Sequence, residues 1–190
     1  AGQKTIVSEI KKDVDWKPGL PSGRYVQRYA IEDARTYLHY KKELIKSGYG
    51  NVDYFSDKLF MRQTGDSIIC AVDKKGYLAL NNVHIGAFYD DINDNSKDCL
   101  LAVLNSRLID YFYKNIAMEE GRVMAQIDID TIDSIPVPNF ELCDEEATSE
   151  ISKLVAKISE MKKQNLGIDI SEQTKKIDSL VYGLYGLTQD

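Results

Sequence analysis

The sequence predicts an α+β domain with an antiparallel or mixed β core, packed helices and a C-terminal antiparallel helical hairpin. Three observations predict it. Between Lys58 and Phe88, short β-prone runs are separated by turns rich in glycine and aspartate, as in a meander. Residues 96–114 carry leucine and aromatic side chains at helical spacing. Two more helical patterns follow within 141–190, so we expect a domain over 1–140 with the hairpin packed on it.

Length and composition suit one globular domain, since the chain has 190 residues of which 43% are hydrophobic. No apolar run reaches the ~20 residues needed to cross a bilayer, and no signal peptide opens the chain. The scattered cysteines, Cys70, Cys99 and Cys143, are expected to be reduced thiols. We therefore expect a cytoplasmic protein without membrane contact. The start Ala-Gly-Gln, without an initiator Met, predicts a piece of a longer protein.

Charge is unevenly distributed along the chain. The net charge of −6 and the pI near 5.0 argue against a generic nucleic-acid binder. Residues 11–62 nevertheless carry 11 Lys+Arg against 7 Asp+Glu, a local +4, whereas residues 141–190 carry 6 against 10, a local −4. A basic face can therefore coexist with an acidic C-terminal part.

The N-terminal third predicts a loop, a strand and a helix. Residues 1–22 read as irregular, with Trp16 tucked against the body. Residues 22–31 alternate as a β-strand does, which would put Arg24, Val26 and Arg28 on one face and Tyr25, Gln27 and Tyr29 on the other. Such side chains can bind phosphates and contact base edges, but the pattern alone favours an ordinary surface strand with snorkelling arginines. Residues 32–47 predict a helix that ends before Gly48.

The middle of the chain predicts a meander with strands near 58–63, 67–72 and 77–88. Asn81-Asn82 reads as a bulge or turn. After an acidic connector, one amphipathic helix is expected over 96–114, with Ser96 as its N-cap. A polar glycine-containing loop follows over 115–126, and alternation over 127–139 predicts a short strand that ends at the prolines.

The last fifty residues predict a helix over 145–163 that ends near Gly167. Asp169 and Glu172 form a possible capping box for a second helix. Packing against their own domain is the simplest role for these helices. A docking surface for another domain is the alternative.

Several segments together carry a family resemblance. They are Leu-Leu-Ala-Val-Leu-Asn-Ser-Arg-Leu-Ile-Asp-Tyr-Phe-Tyr at 100–113, Ile-Pro-Val-Pro at 135–138, Gly-Arg-Tyr-Val-Gln-Arg-Tyr at 23–29, Lys-Leu-Phe-Met-Arg-Gln-Thr-Gly at 58–65 and Asp-Ser-Leu-Val-Tyr-Gly-Leu-Tyr-Gly-Leu-Thr at 178–188. In this order and spacing they resemble the TaqI-like C-terminal specificity domain, the target-recognition part of bacterial adenine-N6 DNA methyltransferases and fused restriction-modification enzymes. They are also similar to the target-recognition domains of type I specificity subunits.

The resemblance implies a double-stranded DNA target-recognition module that presents an adenine to a methyltransferase domain of the same parent protein. It implies no cofactor in this chain, with S-adenosylmethionine bound in that other domain, which would lie N-terminal to this one. The DNA-contact candidates are Arg24, Tyr25, Gln27, Arg28, Arg62, Asn82, His84, Arg122 and Gln126. A protein-interaction module that uses the C-terminal helices, without significant DNA binding, is the alternative function.

No catalytic motif stands out in the sequence. The four prolines are never adjacent, so the Asn/Asp-Pro-Pro-Tyr motif of the resembled methyltransferases is absent, and Gly48-Tyr-Gly50 is no dinucleotide fingerprint. Asp13, Asp15 and Lys17 form only a fragment of a nuclease-like pattern. With two histidines in the chain, no histidine-based metal centre is expected. The predicted role is non-catalytic.

Overall fold

A computed structural model describes residues 6–41, 53–80, 82–116 and 126–187. The described strands are β1 (Val7–Ser8), β2 (Trp16–Leu20), β3 (Val26–Gln27), β4 (Ala30–Ile31), β5 (Tyr37–His39), β6 (Lys58–Arg62), β7 (Cys70–Asp73), β8 (Leu78–Ala79) and β9 (Val83–Ala87). The described helices are α1 (Asp94–Leu104), α2 (Arg107–Ile116), α3 (Ile129–Asp133), α4 (Glu145–Gln164) and α5 (Ser171–Leu184). The predicted α+β class with two C-terminal helices is confirmed.

The strands form three small sheets. The first has the order β1-β5-β2-β8, in which β2 and β8 run parallel and the other neighbours antiparallel. The second is the hairpin β3-β4, and the third is the antiparallel sheet β7-β6-β9. The meander predicted between residues 58 and 88 therefore exists, but its short strand β8 pairs with β2 and lies outside the third sheet.

The sheet β7-β6-β9 lies between two apolar layers, and its central strand is buried on both faces. Leu59 and Met61 pack into the helical layer, whereas Phe60 packs toward the N-terminal strands. Alternation of side chains across the strand produces this split. A strand that is covered on both faces has a continuous apolar sequence, and β6 has one in Leu-Phe-Met at 59–61.

A buried ion pair joins the first two strands of the meander. Lys58 Nζ lies 2.6 Å from Asp73 Oδ2, and neither side chain is more than 1% exposed. The ammonium also donates to the Tyr54 carbonyl at 2.5 Å, and the Tyr77 amide donates to the same carboxylate oxygen at 2.7 Å. Because a buried charge is costly unless it is fully paired, these extra hydrogen bonds make the pair tolerable.

The predicted helix over 96–114 is wrong in one respect, because the structure breaks it into α1 and α2. The break falls at Asn105 and Ser106, which are 6% and 1% exposed. Ser106 Oγ donates to the Val103 carbonyl at 2.7 Å and accepts from the Ile109 amide at 3.3 Å. Asparagine and serine compete with the helical backbone through such local bonds. The true N-cap is Asn93, whose side chain accepts from the Ser96 amide at 2.8 Å.

Residues 32–41 do not form the predicted helix, and residues 42–47 of that prediction lie outside the described part. Tyr37–His39 is β5, the strand between β1 and β2. Its Leu38 is 4% exposed and packs so closely on Gly19 that a Cβ there would lie 2.4 Å from Leu38 Cγ. Strand pairing and this close packing override the local helical pattern.

Two more predictions near the ends of the domain need correction. Residues 16–20 are strand β2 although the N-terminal segment was expected to be irregular, while Trp16 is indeed tucked in, at 4% exposed. The strand expected over 127–139 is replaced by α3, which Asp128 caps by accepting from the Thr131 amide at 2.7 Å. A good N-cap side chain outweighs the alternation of isoleucine and aspartate.

The two C-terminal helices pack on the apolar core that α1 and α2 line. Ile151, Val155, Ile158, Ile177 and Val181 are at most 2% exposed and join the same core as α1 and α2. The first helix ends at Gln164 with Asn165 as C-cap, and Asp169 accepts from the Ser171 amide at 2.9 Å. Glu172 pairs with Lys176 and does not complete a capping box. No helix in the described part of the chain combines the length and the apolar character needed to span a bilayer.

Leu104→Ala is expected to lower the free energy of unfolding by ~2–5 kcal/mol, because Leu104 is 4% exposed in the core shared by the sheet and the helices. Chemical denaturation measures the change. Leu142→Ala is the matched control, since Leu142 is 84% exposed and its truncation should change stability by less than about 0.5 kcal/mol. Equal stability of the two variants would contradict the central place of α1.

Candidate nucleic-acid interface

Residues 22–31, predicted as one continuous strand, form a short turn followed by a tight hairpin. Gly23–Tyr25 is a 3-10 turn, and β3 and β4 pair with Val26 opposite Ile31 and Gln27 opposite Ala30. Arg28 and Tyr29 are therefore the two turn residues. Tyr29 has a φ of 65°, an unfavourable value for a tyrosine, and the residue is only 5% exposed. The prediction that Arg24, Val26 and Arg28 share one strand face is wrong.

The hairpin turn is anchored to the helical layer through Arg28. Its Nη1 donates to the Asn105 carbonyl at 2.5 Å, and its Nη2 donates to Asp110 Oδ2 at 2.6 Å. The Tyr29 amide donates to the Cys70 carbonyl at 3.0 Å. The Arg28 side chain is 28% exposed, so most of it is already engaged within the fold.

Arg62, at the end of β6, holds the 3-10 turn in place. Its Nε donates to the Val26 carbonyl at 2.5 Å, and its Nη2 donates to the Arg24 carbonyl at 3.2 Å. Gly23 lies against the Asn82 carbonyl, where an added Cβ would be 2.6 Å from the oxygen. Only glycine can lie this close to the Asn82 carbonyl, so packing fixes the position of the 3-10 turn Gly23–Tyr25.

Arg24, by contrast, has its side chain in solvent. It is exposed, its guanidinium stacks 4.8 Å from the Tyr25 ring centroid, and Nη2 donates to the Tyr25 hydroxyl at 2.7 Å. This hydrogen bond raises the pKa of Arg24. Gln27 is partly exposed, and its amide donates to Glu32 at 3.3 Å. These side chains are thus presented at the surface, with Arg24 the most available.

His84 and Asn82 lie where β9 begins, beside the end of β6. His84 pairs with Met61 across the strands, and its Nε2 lies 2.6 Å from the Ile127 carbonyl. Since a carbonyl only accepts, Nε2 carries the proton there. The Asn82 carbonyl accepts from the Gln63 amide at 3.1 Å, while its buried side-chain oxygen has no hydrogen-bond partner among the described residues. Both residues therefore hold the strand ends together.

The loop over 115–126, predicted to face DNA, ends beside the C-terminal end of β6. Gln126 is exposed and forms a β-bridge with Thr64, and the Ile127 amide donates to the Gln63 carbonyl at 2.8 Å. Arg122 lies outside the described residues. Whether Arg24 and Arg122 form one positive patch therefore stays a prediction, although residues 24 and 126 are both tied to the end of β6.

Three of the described arginines form a cluster, which we call the arginine corner: Arg24, Arg28 and Arg62. Partial burial lowers the pKa of Arg62, and the nearby Arg28 lowers it further. Burial raises the pKa of Asp110, and the Arg28 guanidinium opposes that rise. Within the corner the described ion pair is Arg28–Asp110, so the charges of Arg24 and Arg62 add to a local positive field.

Asn105 is the positioning residue that the sequence analysis missed. Its side-chain oxygen accepts from the Cys70 amide at 3.1 Å, and its side-chain nitrogen donates to the Cys70 carbonyl at 3.0 Å. The asparagine thus pairs with β7 as a neighbouring strand would. An Asn-Ser pair in the middle of a leucine-rich helical run is the signal that could have found it, because both residues disfavour helix interiors.

Arg28→Ala is expected to destabilise the fold by ~1–3 kcal/mol at neutral pH. The substitution leaves the Asn105 carbonyl and the half-buried Asp110 carboxylate without the hydrogen bonds that Arg28 donates to them. The pKa of Asp110 is already above its ordinary value, and losing Arg28 raises it more. The loss of unfolding free energy in Arg28→Ala is therefore largest at a pH where Asp110 is ionised, and it becomes smaller as Asp110 is protonated in acid.

Urea denaturation at neutral and at mildly acidic pH tests this expectation. Lys153→Ala, which removes a cation that is 71% exposed, is the control and should show little loss at either pH. A penalty for Arg28→Ala that stays the same at both pH values would contradict the assigned role of Asp110.

Comparison with known proteins identifies a family for this chain. The model of the family described as TaqI-like C-terminal specificity domain matches residues 20–137, which include β3, β4, the meander, α1 and α2. No match was found among the curated proteins. The match confirms the resemblance drawn from the sequence, and it spans all of the candidate DNA-contact residues. The chain belongs to the TaqI-like C-terminal specificity domain family.

Proposed function

We propose that the chain recognises a double-stranded DNA target within a restriction-modification enzyme. In this proposal the target adenine is presented to a methyltransferase domain elsewhere in the parent protein, where S-adenosylmethionine binds. The observation that carries the proposal is Arg24, an exposed arginine on a turn that packing makes rigid, within a family of specificity domains. Rigid presentation lowers the entropy that an arginine loses on binding DNA.

We assign different roles to the nine candidate residues according to the contacts that the structure describes for them. Arg28 and Arg62 already donate to carbonyls or a carboxylate of the fold, so we assign them to support of the surface and to its positive field. Arg24, Tyr25, Gln27 and Gln126 are the described side chains that we assign to DNA contact. We assign His84 and Asn82 to positioning of the strand ends, and Arg122 remains a proposed contact.

Arginine chemistry suits both parts of DNA recognition. A guanidinium pairs bidentately with guanine O6 and N7 in the major groove, and it also pairs with phosphate oxygens. Gln126 could pair with adenine N6 and N7 in the same way that glutamine commonly does. Because base contacts require a particular sequence and phosphate contacts do not, the two roles of Arg24 can be separated by experiment.

The alternative, a docking module that uses the C-terminal helices, has less support. The apolar faces of α4 and α5 are already covered by the core of this domain. None of the large apolar side chains that are exposed in the described part of the chain lies within either helix. We therefore keep the DNA proposal as the principal one.

Fluorescence anisotropy with labelled random-sequence duplexes tests the proposal. We expect a Kd in the micromolar range or weaker at physiological salt, since the net charge of −6 opposes binding and much of non-specific affinity is electrostatic. Affinity should rise steeply between roughly 200 and 50 mM salt. Arg24→Ala should weaken binding and, if Arg24 contacts phosphate, reduce the salt slope by about 1.

Lys153→Ala removes the same charge from α4 and is the control, with unchanged slope expected. If Arg24 instead reads a base, selection from the duplex library should show discrimination of ~1–3 kcal/mol lost at one position in Arg24→Ala. Binding that is insensitive to both salt and Arg24 would contradict the electrostatic contact assigned to Arg24. Absence of binding even at low salt would favour the docking module.

A further inference from the structure

A second group of chemically active side chains lies away from the arginine corner, where the N-terminal segment meets β5. Asp13, Asp15 and His39 each offer one ligand atom, and these atoms all lie within 4.8 Å of one another. The three residues come from two separate segments of the chain, and β2 and β5 bring them together.

Backbone pairing fixes this arrangement. Trp16 lies opposite His39 in the antiparallel pair of β2 and β5. The Tyr40 amide donates to the Asp15 carbonyl at 2.8 Å, which extends that ladder beyond the strand ends. Asp15 and His39 are therefore held next to each other by main-chain hydrogen bonds, independently of their own side chains.

The imidazole of His39 is held by stacking and leaves one nitrogen unsatisfied. Its ring stacks on Trp16 with a centroid separation of 4.8 Å and an interplanar angle of 4°. The Nε2 atom is buried and has no hydrogen-bond partner among the described residues. A buried polar atom without a partner costs free energy that a ligand can recover. This orphaned nitrogen belongs to an imidazole that offers a ligand atom within 4.8 Å of two carboxylates. The two observations together point to a bound cation.

The ligand set selects a class of metal. An imidazole with two carboxylates suits Zn²⁺, Ni²⁺, Co²⁺ or Mn²⁺ better than Ca²⁺ or Mg²⁺, which prefer all-oxygen sites. Ligand atoms about 2.1 Å from a tetrahedral metal lie about 3.4 Å apart. The 4.8 Å span must therefore contract by about 1.4 Å, which rotation of an exposed carboxylate such as Asp13 can supply.

A neighbouring lysine now serves as a weak substitute for such a cation. Lys41 Nζ lies 3.8 Å from Asp15 Oδ2, and both side chains are nearly half exposed. An exposed pair of this kind contributes little to stability and yields easily to a divalent ion. Lys17, the third member of the nuclease-like pattern, lies instead over the Phe55 ring at 5.8 Å. The cluster therefore does not have the geometry of a nuclease centre.

We infer that Asp13, Asp15 and His39 form a binding site for a divalent transition-metal ion that ties the N-terminal segment to β5. The site needs no DNA and is independent of the proposed recognition function. With three protein ligands, the remaining coordination positions belong to water. Its effect is structural: the metal links two segments that otherwise meet through short strands and one aromatic stack.

The single tryptophan of the chain makes the site directly observable. Because Trp16 stacks on His39, Ni²⁺ bound to the imidazole should quench tryptophan fluorescence saturably, and a chelator should restore it. Asp15→Asn leaves the stack and the backbone ladder intact and should weaken the apparent affinity at least about ten-fold. Asp13→Asn is a second variant with the same expectation. Asp91→Asn, an exposed carboxylate outside the cluster, should bind Ni²⁺ as the parent does.

Thermal melts with Zn²⁺ give a second readout, because an ion that binds only the folded state raises the Tm. The parent and Asp91→Asn should gain stability, and Asp13→Asn and Asp15→Asn should gain much less. Absence of saturable quenching in the parent would overturn the inference. So would equal quenching and equal Tm gains in all four proteins, which would place the ion at another ligand such as the Cys143 thiol.

Discussion

The pairing of the Asn105 side chain with the Cys70 backbone is the interaction on which the rest of the structure depends. It joins the helical layer to the edge strand β7 through two hydrogen bonds, and it ends α1 at the same time. The carbonyl of the same asparagine accepts from Arg28, and the Cys70 carbonyl accepts from the Tyr29 amide. One buried amide thus fixes the helix break, the sheet edge and the hairpin turn relative to one another. Because each group would be costly to leave unpaired, the arrangement is strongly specified.

The arginine corner acquires its organisation from this anchor. Arg28 holds the hairpin from the helical side, and Arg62 holds the preceding turn from the end of β6. Arg24 is left with its side chain in solvent, on a backbone that cannot easily move. Recognition surfaces work best when supporting residues restrict the contacting ones. An arginine-rich segment can therefore contain both structural and contacting residues, which sequence pattern alone does not distinguish.

The sequence predicted the elements that depend on long local patterns. The C-terminal helices, the meander and the apolar character of α1 follow from periodicity, and the family was recognised from ordered motifs. The strand expected over 127–139 failed for a local reason, the N-cap at Asp128, but other failures have their cause in long-range contacts. Residues 37–39 were predicted as helix, but they form a strand that pairs with neighbours on both sides. Residues 22–31 were predicted as one strand, but they fold back into a hairpin in which Tyr29 is buried with a positive φ. The role of Asn105 depends on a partner 35 residues away, which no local pattern contains.

We propose that DNA binds at the end of β6, where the arginine corner meets Gln126. Amide hydrogen exchange of the full chain, with and without duplex DNA at low salt, tests it most directly. We expect slower exchange at residues 23–28, 62–64 and 126–128 when DNA is present, with α4 and α5 unchanged. Protection confined to α4 and α5, or no protection at residues 23–28 under saturating DNA, would contradict it.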